Sequence, residues 1–331
     1  MRNGIYIYGV IATSSMQDFG AIGIGNKPTK VWTIGCKDVA AVVSASPLVV
    51  YNSLAQEKTV KDLVIHQFVI EKVMEQFTII PLKFGTMVKT EEEAITFLEK
   101  GYPLLSSELG KMEGNIELDV VATWELPKVL RTVVRDSHLI QNKQKEIALK
   151  DTASVEDKVA LGQLVEQALQ ARKADNYELM LQTLKERATD VCLHDLANDE
   201  MIFNAAFLLK KKDEESFTEL VHALDQKLED TVKFRVIGPL PLYSFSTILF
   251  ESIDPHSVEE AKKTFGLHGE LTDKTIRDTY RQLARQCHPD KKSAKDTMDF
   301  SLLHAAYKTL MNFVENGLMQ IEVYQWKKDF Q

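Results

Sequence analysis

The stretch that most constrains how this chain can fold is Lys233 to Phe245, K-F-R-V-I-G-P-L-P-L-Y-S-F. Phe234, Val236 and Ile237 carry a short β signal, with polar Lys233 and Arg235 on the alternate positions. Gly238, Pro239 and Pro241 then stop it, because proline donates no ladder hydrogen bond and restricts the residue before it. Upstream, helical and strand patterns are mixed. Downstream come helices, short loops and one sharp tripeptide, His288-Pro289-Asp290. The stretch reads as the last strand of a core and the gateway to an appended module.

The core opens with Ile5-Tyr6-Ile7-Tyr8-Gly9-Val10, β-branched and aromatic as a strand prefers. Glycines 20, 23 and 25 follow, and glycines let backbone N–H groups approach an anion. Another strand, Val31 to Ile34, stands where a phosphate cradle needs a helix start, so a flexible loop is expected. Gly35 to Asp38 is a turn, and Val39 to Ala45 completes a hairpin. Thr59 to Phe77 reads as a helix with Val60, Leu63, Ile70, Met74 and Phe77 on one face. His66 borders that face as a hydrogen-bonded packing residue. Ile79 to Thr86 is a bent strand, Thr90 can cap a helix through Glu91, Glu92 and Glu93, and Ile116 to Trp124 alternates cleanly. This order predicts a ferredoxin-like α+β domain over residues 1–125.

From Pro127 to about Ala188 the pattern is helical. Leu161, Leu164, Val165 and Ala168 form one stripe; Tyr177, Met180, Leu181, Leu184 and Ala188 form another, with a break expected across Ala171 to Asn176. Lys143, Lys145, Glu146 and Lys150 read as a solvated face. Met201 to Leu209 is a strand, Glu214 to Leu228 a helix, and the closing strand follows. Residues 126–250 are therefore expected as a second α+β half around a long helical segment.

Charge and motif usage exclude several function classes. A net charge of -8 argues against a chain that coats nucleic acid. Three widely spaced cysteines, Cys36, Cys192 and Cys287, give no disulfide framework and suit a reducing compartment. The start has no signal-peptide pattern, and no window approaches the ~20 apolar residues of a spanning helix. A soluble, cytoplasmic protein without membrane contact is expected. Cys192 and His194 lie close together, but no second pair has zinc-finger spacing. With no G-x-S-x-G and no P-loop either, no catalytic residue, metal or cofactor is expected.

In the last third, Thr272 can N-cap a helix running through Cys287, with Asp273 in its first turn. Lys274, Arg277, Arg281 and Arg285 fall on one narrow face, opposite Ile276, Tyr280, Leu283 and Cys287. Pro289 disfavours a helical His288. After the loop Lys291 to Lys295, a second helix repeats Phe300, Leu303, Tyr307, Leu310 and Val314. Val258 to Phe265 supplies a short first helix, joined through Gly266-Leu267. Residues 251–331 thus read as a small all-helical module. Two antiparallel amphipathic helices with H-P-D at the tip resemble a J-domain. The resemblance implies that His288, Pro289, Asp290 and the basic face dock on a DnaK-type seventy-kilodalton chaperone and stimulate its ATP hydrolysis. The tail, Glu315 to Gln331, lacks the basic fourth helix of that pattern.

The body carries a second resemblance. I-Y-I-Y-G, D-V-A-A-V-V-S, I-I-P-L-K-F-G-T, L-G-K-M-E-G-N-I-E-L-D-V, N-A-A-F-L-L and G-P-L-P-L-Y-S-F stand in the order of the gas vesicle protein F/L family, over about Ile5 to Phe245. It implies a two-part α+β protein, not an enzyme, that helps build gas vesicles. Its implied partners are the small, very apolar shell protein and other gas vesicle accessory proteins. Two other readings stand beside it. One is a general J-domain co-chaperone for other clients. The other is a small-molecule-binding ferredoxin-like protein with its site at the Gly20 to Gly25 loop.

Overall fold

The computed structural model describes residues 3–25, 27–49, 51, 57–150, 152–228, 231–269, 271–286 and 300–326. The first half contains β1 (Asn3–Ala12), β2 (Asp18–Gly23), β3 (Thr29–Cys36), β4 (Val39–Pro47), α1 (Glu57–Met74), β5 (Ile79–Pro81), β6 (Met87–Val88) and α2 (Glu91–Met112). Its strands form one antiparallel sheet in the order β2-β3-β4-β1-β5, with β6 also against β1. Alternation sorts the side chains, so that Ile5 and Ile7 join the cluster with α2 while Tyr6 and Tyr8 join the one with α1. A bulge between Ile7 and Gly9 shifts the phase by one residue. Val10 and Ile11 therefore continue the two faces in reversed parity.

Two expectations are corrected here. The face α1 turns to the sheet is only partly the one its apolar spacing predicts: Ile70 is buried and Met74 and Phe77 pack on the cluster, but Val60 is 47% exposed, and Asp62, His66, Val69 and Val73 are buried as well. Polar pairing explains it, because a buried polar side chain is tolerated when its partner is buried beside it. The Tyr6 hydroxyl hydrogen-bonds His66 Nδ1 at 3.0 Å, and Tyr51 donates to Asp62 at 3.0 Å. The glycine stretch expected as a loop is instead strand β2, paired to β3 and bulged at Gly20, where φ is +85°. The Ile24 N–H, which a phosphate cradle would need, donates to the Tyr8 hydroxyl at 2.8 Å.

The second half runs β7 (Asn115–Trp124), α3 (Leu126–Asp136), α4 (His138–Ala148), α5 (Val155–Lys185), β8 (Asp190–Leu193), β9 (Met201–Lys210), α6 (Glu214–Lys227) and β10 (Val232–Leu240). The antiparallel order β10-β7-β9-β8 places fourth beside first, first beside third and third beside second. That is the ferredoxin-like arrangement, and it belongs to this half; the first half is an α+β unit on a longer meander. α5 runs unbroken across Ala171 to Asn176. The helical segment breaks earlier, at Ser137 and Ser154, whose hydroxyls accept from Ile140 N and Asp157 N. Lys143 and Lys150 are not merely solvated either: both reach Asp157, Lys150 at 2.7 Å. β10 continues past Gly238 to Leu240 through a cis Gly238–Pro239 bond, with a register shift after Ile237. Proline is accommodated because β10 is an edge strand.

α2 lies between the two sheets. Phe97, Leu98, Leu105 and Leu109 share one cluster with Val10 and Ala41 of the first sheet and with Cys192, Ala206 and Leu208 of the second. α3, α5 and α6 pack on the other face of the second sheet, over Leu118, Val120, Phe203 and Phe207.

The remainder is β11 (Thr247–Ser252), α7 (Pro255–Phe265), α8 (Asp273–Gln286), α9 (Phe300–Asn316) and β12 (Met319–Tyr324). The three helices form the expected module. β12 was not expected: it returns to pair antiparallel with β11 from Ser252↔Met319 to Thr247↔Tyr324. β11 in turn meets the first sheet through the Leu82↔Ile248 bridge, with Lys83 N donating to Ile248 O at 3.0 Å. A boundary at residue 250 therefore falls inside a strand.

Candidate interaction surfaces

The helical module is fixed by local signals. Asp254 caps α7, accepting from His256 N at 3.1 Å, and Pro255 occupies the first turn, where its missing N–H costs nothing. Gly266 ends the helix in the left-handed conformation, φ 62°. Thr272 caps α8 as expected: its hydroxyl accepts from Thr275 N at 3.2 Å, and Thr275 Oγ1 accepts from Thr272 N at 3.1 Å. Val258, Ala261, Phe265, Ile276, Leu303, Ala306, Leu310 and Met311 make the module's core. Burying Ile276 completely turns Lys274, Arg277, Arg281 and Arg285 outward, and all four are exposed.

That basic face is not uniformly positive. Arg277 Nε pairs with Asp273 at 2.5 Å and Arg281 with Asp278 at 3.2 Å, whereas Lys274 and Arg285 have no ion pair among the described residues. The hydrogen bond that Arg277 donates to Asp273 raises the Arg277 pKa further. His288, Pro289, Asp290 and Cys287 lie outside the described residues. On α9 the packed stripe starts at Leu303; Phe300, expected on it, is 45% exposed. Tyr280 closes the α8–α9 seam against Tyr307, with ring centroids 4.4 Å apart.

The module is anchored to the body at several points. Lys89 pairs with Asp254 at 3.1 Å, Ile253 N donates to Leu318 O at 2.9 Å, and Phe250 meets Phe97 edge-on at 4.8 Å. At the far end of β12, Trp326 N donates to Ser244 O at 2.9 Å, and Trp326 O accepts from Cys192 Sγ at 3.0 Å. Its indole lies edge-on to His194, 5.5 Å between centroids.

Beneath this anchor lies an acidic pair. Glu117 is 2% exposed and accepts from Ser244 N at 2.9 Å and Ser244 Oγ at 2.8 Å. Burial pushes the Glu117 carboxyl up to about 8, that of Asp119 two residues on to about 6, and the Cys192 thiol to about 12. Cys192 and His194 thus serve the anchor of the tail. Sequence reasoning did not single out Glu117, Ser244 or Trp326. The available signal was a pair of acids at alternate positions of β7, Glu117 and Asp119, on the face opposite Ile116, Leu118 and Val120.

Among the described residues β2 and β5 end the first sheet, with the short β6 also at its β1 side, β8 and β10 end the second, and β12 is the outer strand of the β11 pair. β10 is guarded by exposed Lys233, Arg235 and Pro239, a common protection against edge-to-edge pairing. No described helix is long and apolar enough to cross a membrane.

Comparison with known proteins follows the two-part architecture. Residues 4–247 match the family model "Gas vesicle synthesis protein GvpL/GvpF", and residues 263–315 match the DnaJ domain. Gas vesicle protein F of Microcystis aeruginosa (strain PCC 7806) is 26% identical over 255 residues, covering 75% of this chain and 100% of the relative. Gas vesicle protein F of Nostoc sp. (strain PCC 7120) is 27% identical over 254 residues, with the same shares. The crystal structure of GvpF from Anabaena sp. PCC7120 superposes with a TM-score of 0.61 at 25% identity, over 73% of this chain and 97% of that one. GvpF from Microcystis aeruginosa gives 0.52 at 24% identity and shares the fold.

Proposed function

Because the chain belongs to the gas vesicle synthesis protein GvpL/GvpF family, we propose that it is a gas vesicle assembly factor that holds the apolar shell protein and brings a DnaK-type chaperone to it. The supporting observation is a family body joined in one chain to a DnaJ domain. A shell subunit apolar enough to line a gas space aggregates if left free, since exposed apolar patches and strand edges self-associate. A body with open sheet edges can hold such a subunit by strand addition. The basic face of Lys274, Arg277, Arg281 and Arg285, together with His288, Pro289 and Asp290, then docks the chaperone, whose ATP cycle releases the client. On this reading the protein works in the cytoplasm, at growing vesicles, without chemistry of its own and alongside other accessory proteins.

The test uses the purified full chain with shell protein and a DnaK-type ATPase. Shell protein is captured, ATP hydrolysis is stimulated, and Asp290→Asn removes the stimulation while capture persists. Stimulation without capture of shell protein would instead favour a co-chaperone for other clients. Absence of both activities overturns the proposal.

A further inference from the structure

β12 is the most lightly seated strand of the first sheet's extension. None of its residues is fully buried, whereas β9 of the second sheet buries most of its length. It pairs with β11 alone. Met319, Ile321 and Val323 alternate with polar neighbours, and Ile321 rests on α2 at Gly101, where an added Cβ would come within 2.9 Å of its Cδ1. The surface underneath is apolar: Phe97, Leu105, Ile248 and Phe250 share one cluster with Ile321.

The family match ends at residue 247, the first residue of β11, and relatives aligned along their whole length account for three quarters of this chain. β12 therefore belongs to what this chain has beyond them. It fills an edge and an apolar strip that a chain ending near β11 would leave uncovered.

We propose that β12 is a displaceable strap, and that the β11 edge beside α2 accepts an extended segment of the apolar client. The identity of that client rests on the reading in the previous section. The incoming segment has an apolar side chain at every second residue. It takes over the ladder that Thr247–Ser252 makes with β12 and sets one apolar side chain over Gly101. Displacing β12 also detaches Trp326 from Ser244 and Cys192. Of the described hydrogen bonds and ion pairs that anchor the module, those of its β11 side and the Lys89–Asp254 pair then remain. Occupancy of the edge is thereby coupled to the reach of the chaperone-docking face.

A reversible lock tests this in the full chain. Glu251 and Gln320 face each other across the ladder, and directly opposed antiparallel residues lie at about 4.5–5.5 Å between Cα atoms, within disulfide range. The Glu251→Cys, Gln320→Cys variant is compared oxidised and reduced, using a fluorescent peptide that copies residues 318–326 and, separately, shell protein. The reduced form binds the peptide, and oxidation weakens that binding about tenfold or more; reductant restores it. Equal peptide binding in both forms, or none in either, overturns the strap. If the peptide is excluded by the lock while shell protein binds both forms equally, the edge is not the client's and the proposal fails there. If the peptide behaves as expected and shell protein binds neither form, the edge stands and the shell-protein reading falls.

Discussion

Glu117 and Ser244 meet through two hydrogen bonds, the backbone N–H at 2.9 Å and the hydroxyl at 2.8 Å, beneath the point where Trp326 is tied down. This contact joins the middle of β7 to the P-L-Y-S-F turn. It gives the body a titratable joint. The folded Glu117 pKa, about 8, lies above its ordinary value of 4.5. The folded state therefore holds a proton that the unfolded state gives up, and stability falls as pH rises through that window. The loss is of order 3–5 kcal/mol once pH passes about 8. Denaturant melts of Glu117→Gln should show a flatter pH dependence between about pH 5 and 8. An unchanged slope would place the proton elsewhere.

His66 has the opposite sign. Its folded pKa is lowered to about 4 by burial, below the ordinary 6.5. The unfolded state binds the extra proton, so stability is lost as pH falls from about 6.5 towards 4, by roughly 3 kcal/mol. His66→Gln keeps an acceptor for Tyr6 and should remove this acid-side loss, read from melting temperatures across that range. Tyr6 of β1 and His66 of α1 are both buried where the helix meets the sheet, so a general loosening of the first half would accompany any failure to repack.

The basic face should act through charge. Arg281→Glu beside Asp278 turns a compensated pair into two adjacent acids on an exposed surface. Its stability cost should stay within about 0.5 kcal/mol. Binding to a DnaK-type chaperone should weaken markedly and lose part of its salt sensitivity, because exposed charges are screened over ~8–10 Å near physiological ionic strength. Titrations at low and high salt check this, and an unaffected variant would remove Arg281 from the docking face.

Gly101 separates packing of α2 from seating of β12. In Gly101→Ala the nearest atoms to the added Cβ belong to the flexible side chains of Ile321, at 2.9 Å, and Leu105, at 3.1 and 3.3 Å. The variant also gains helix propensity worth up to ~1 kcal/mol, so it should be close to neutral. Gly101→Leu should lift Ile321 and speed amide exchange along Met319–Tyr324 while the helices of the module stay protected. Uniform exchange changes throughout the chain would instead indicate damage to α2 itself.

Much of this was legible in the sequence, for identifiable reasons. Thr90 and Thr272 announced their helices because capping is a local interaction. Ile116 to Trp124 declared β7 through its alternation. The burial of Asp62 and His66 on α1 in place of Val60 was missed because it is set by Tyr51 and Tyr6, residues from other parts of the chain. β2 was misjudged because glycine weakens a strand signal that its ladder to β3 supplies. β12 carries a period-2 alternation in Met319, Ile321 and Val323 that was passed over, and its partner β11 lies far upstream in the chain. His288, Pro289 and Asp290 remain a sequence-level expectation, outside the described residues.

Ile253 and Leu318 join across one hydrogen bond of 2.9 Å, so the helices leave the body and rejoin it at a single neck. In topological terms the module is an insertion into a hairpin. Excising residues 254–317 and bridging the neck with a short Asn-Gly turn would turn β11 and β12 into an ordinary hairpin without stretching the chain. The same neck would accept any other small domain whose termini lie one strand spacing apart. The body is thus a chassis on which one appended domain can be exchanged for another.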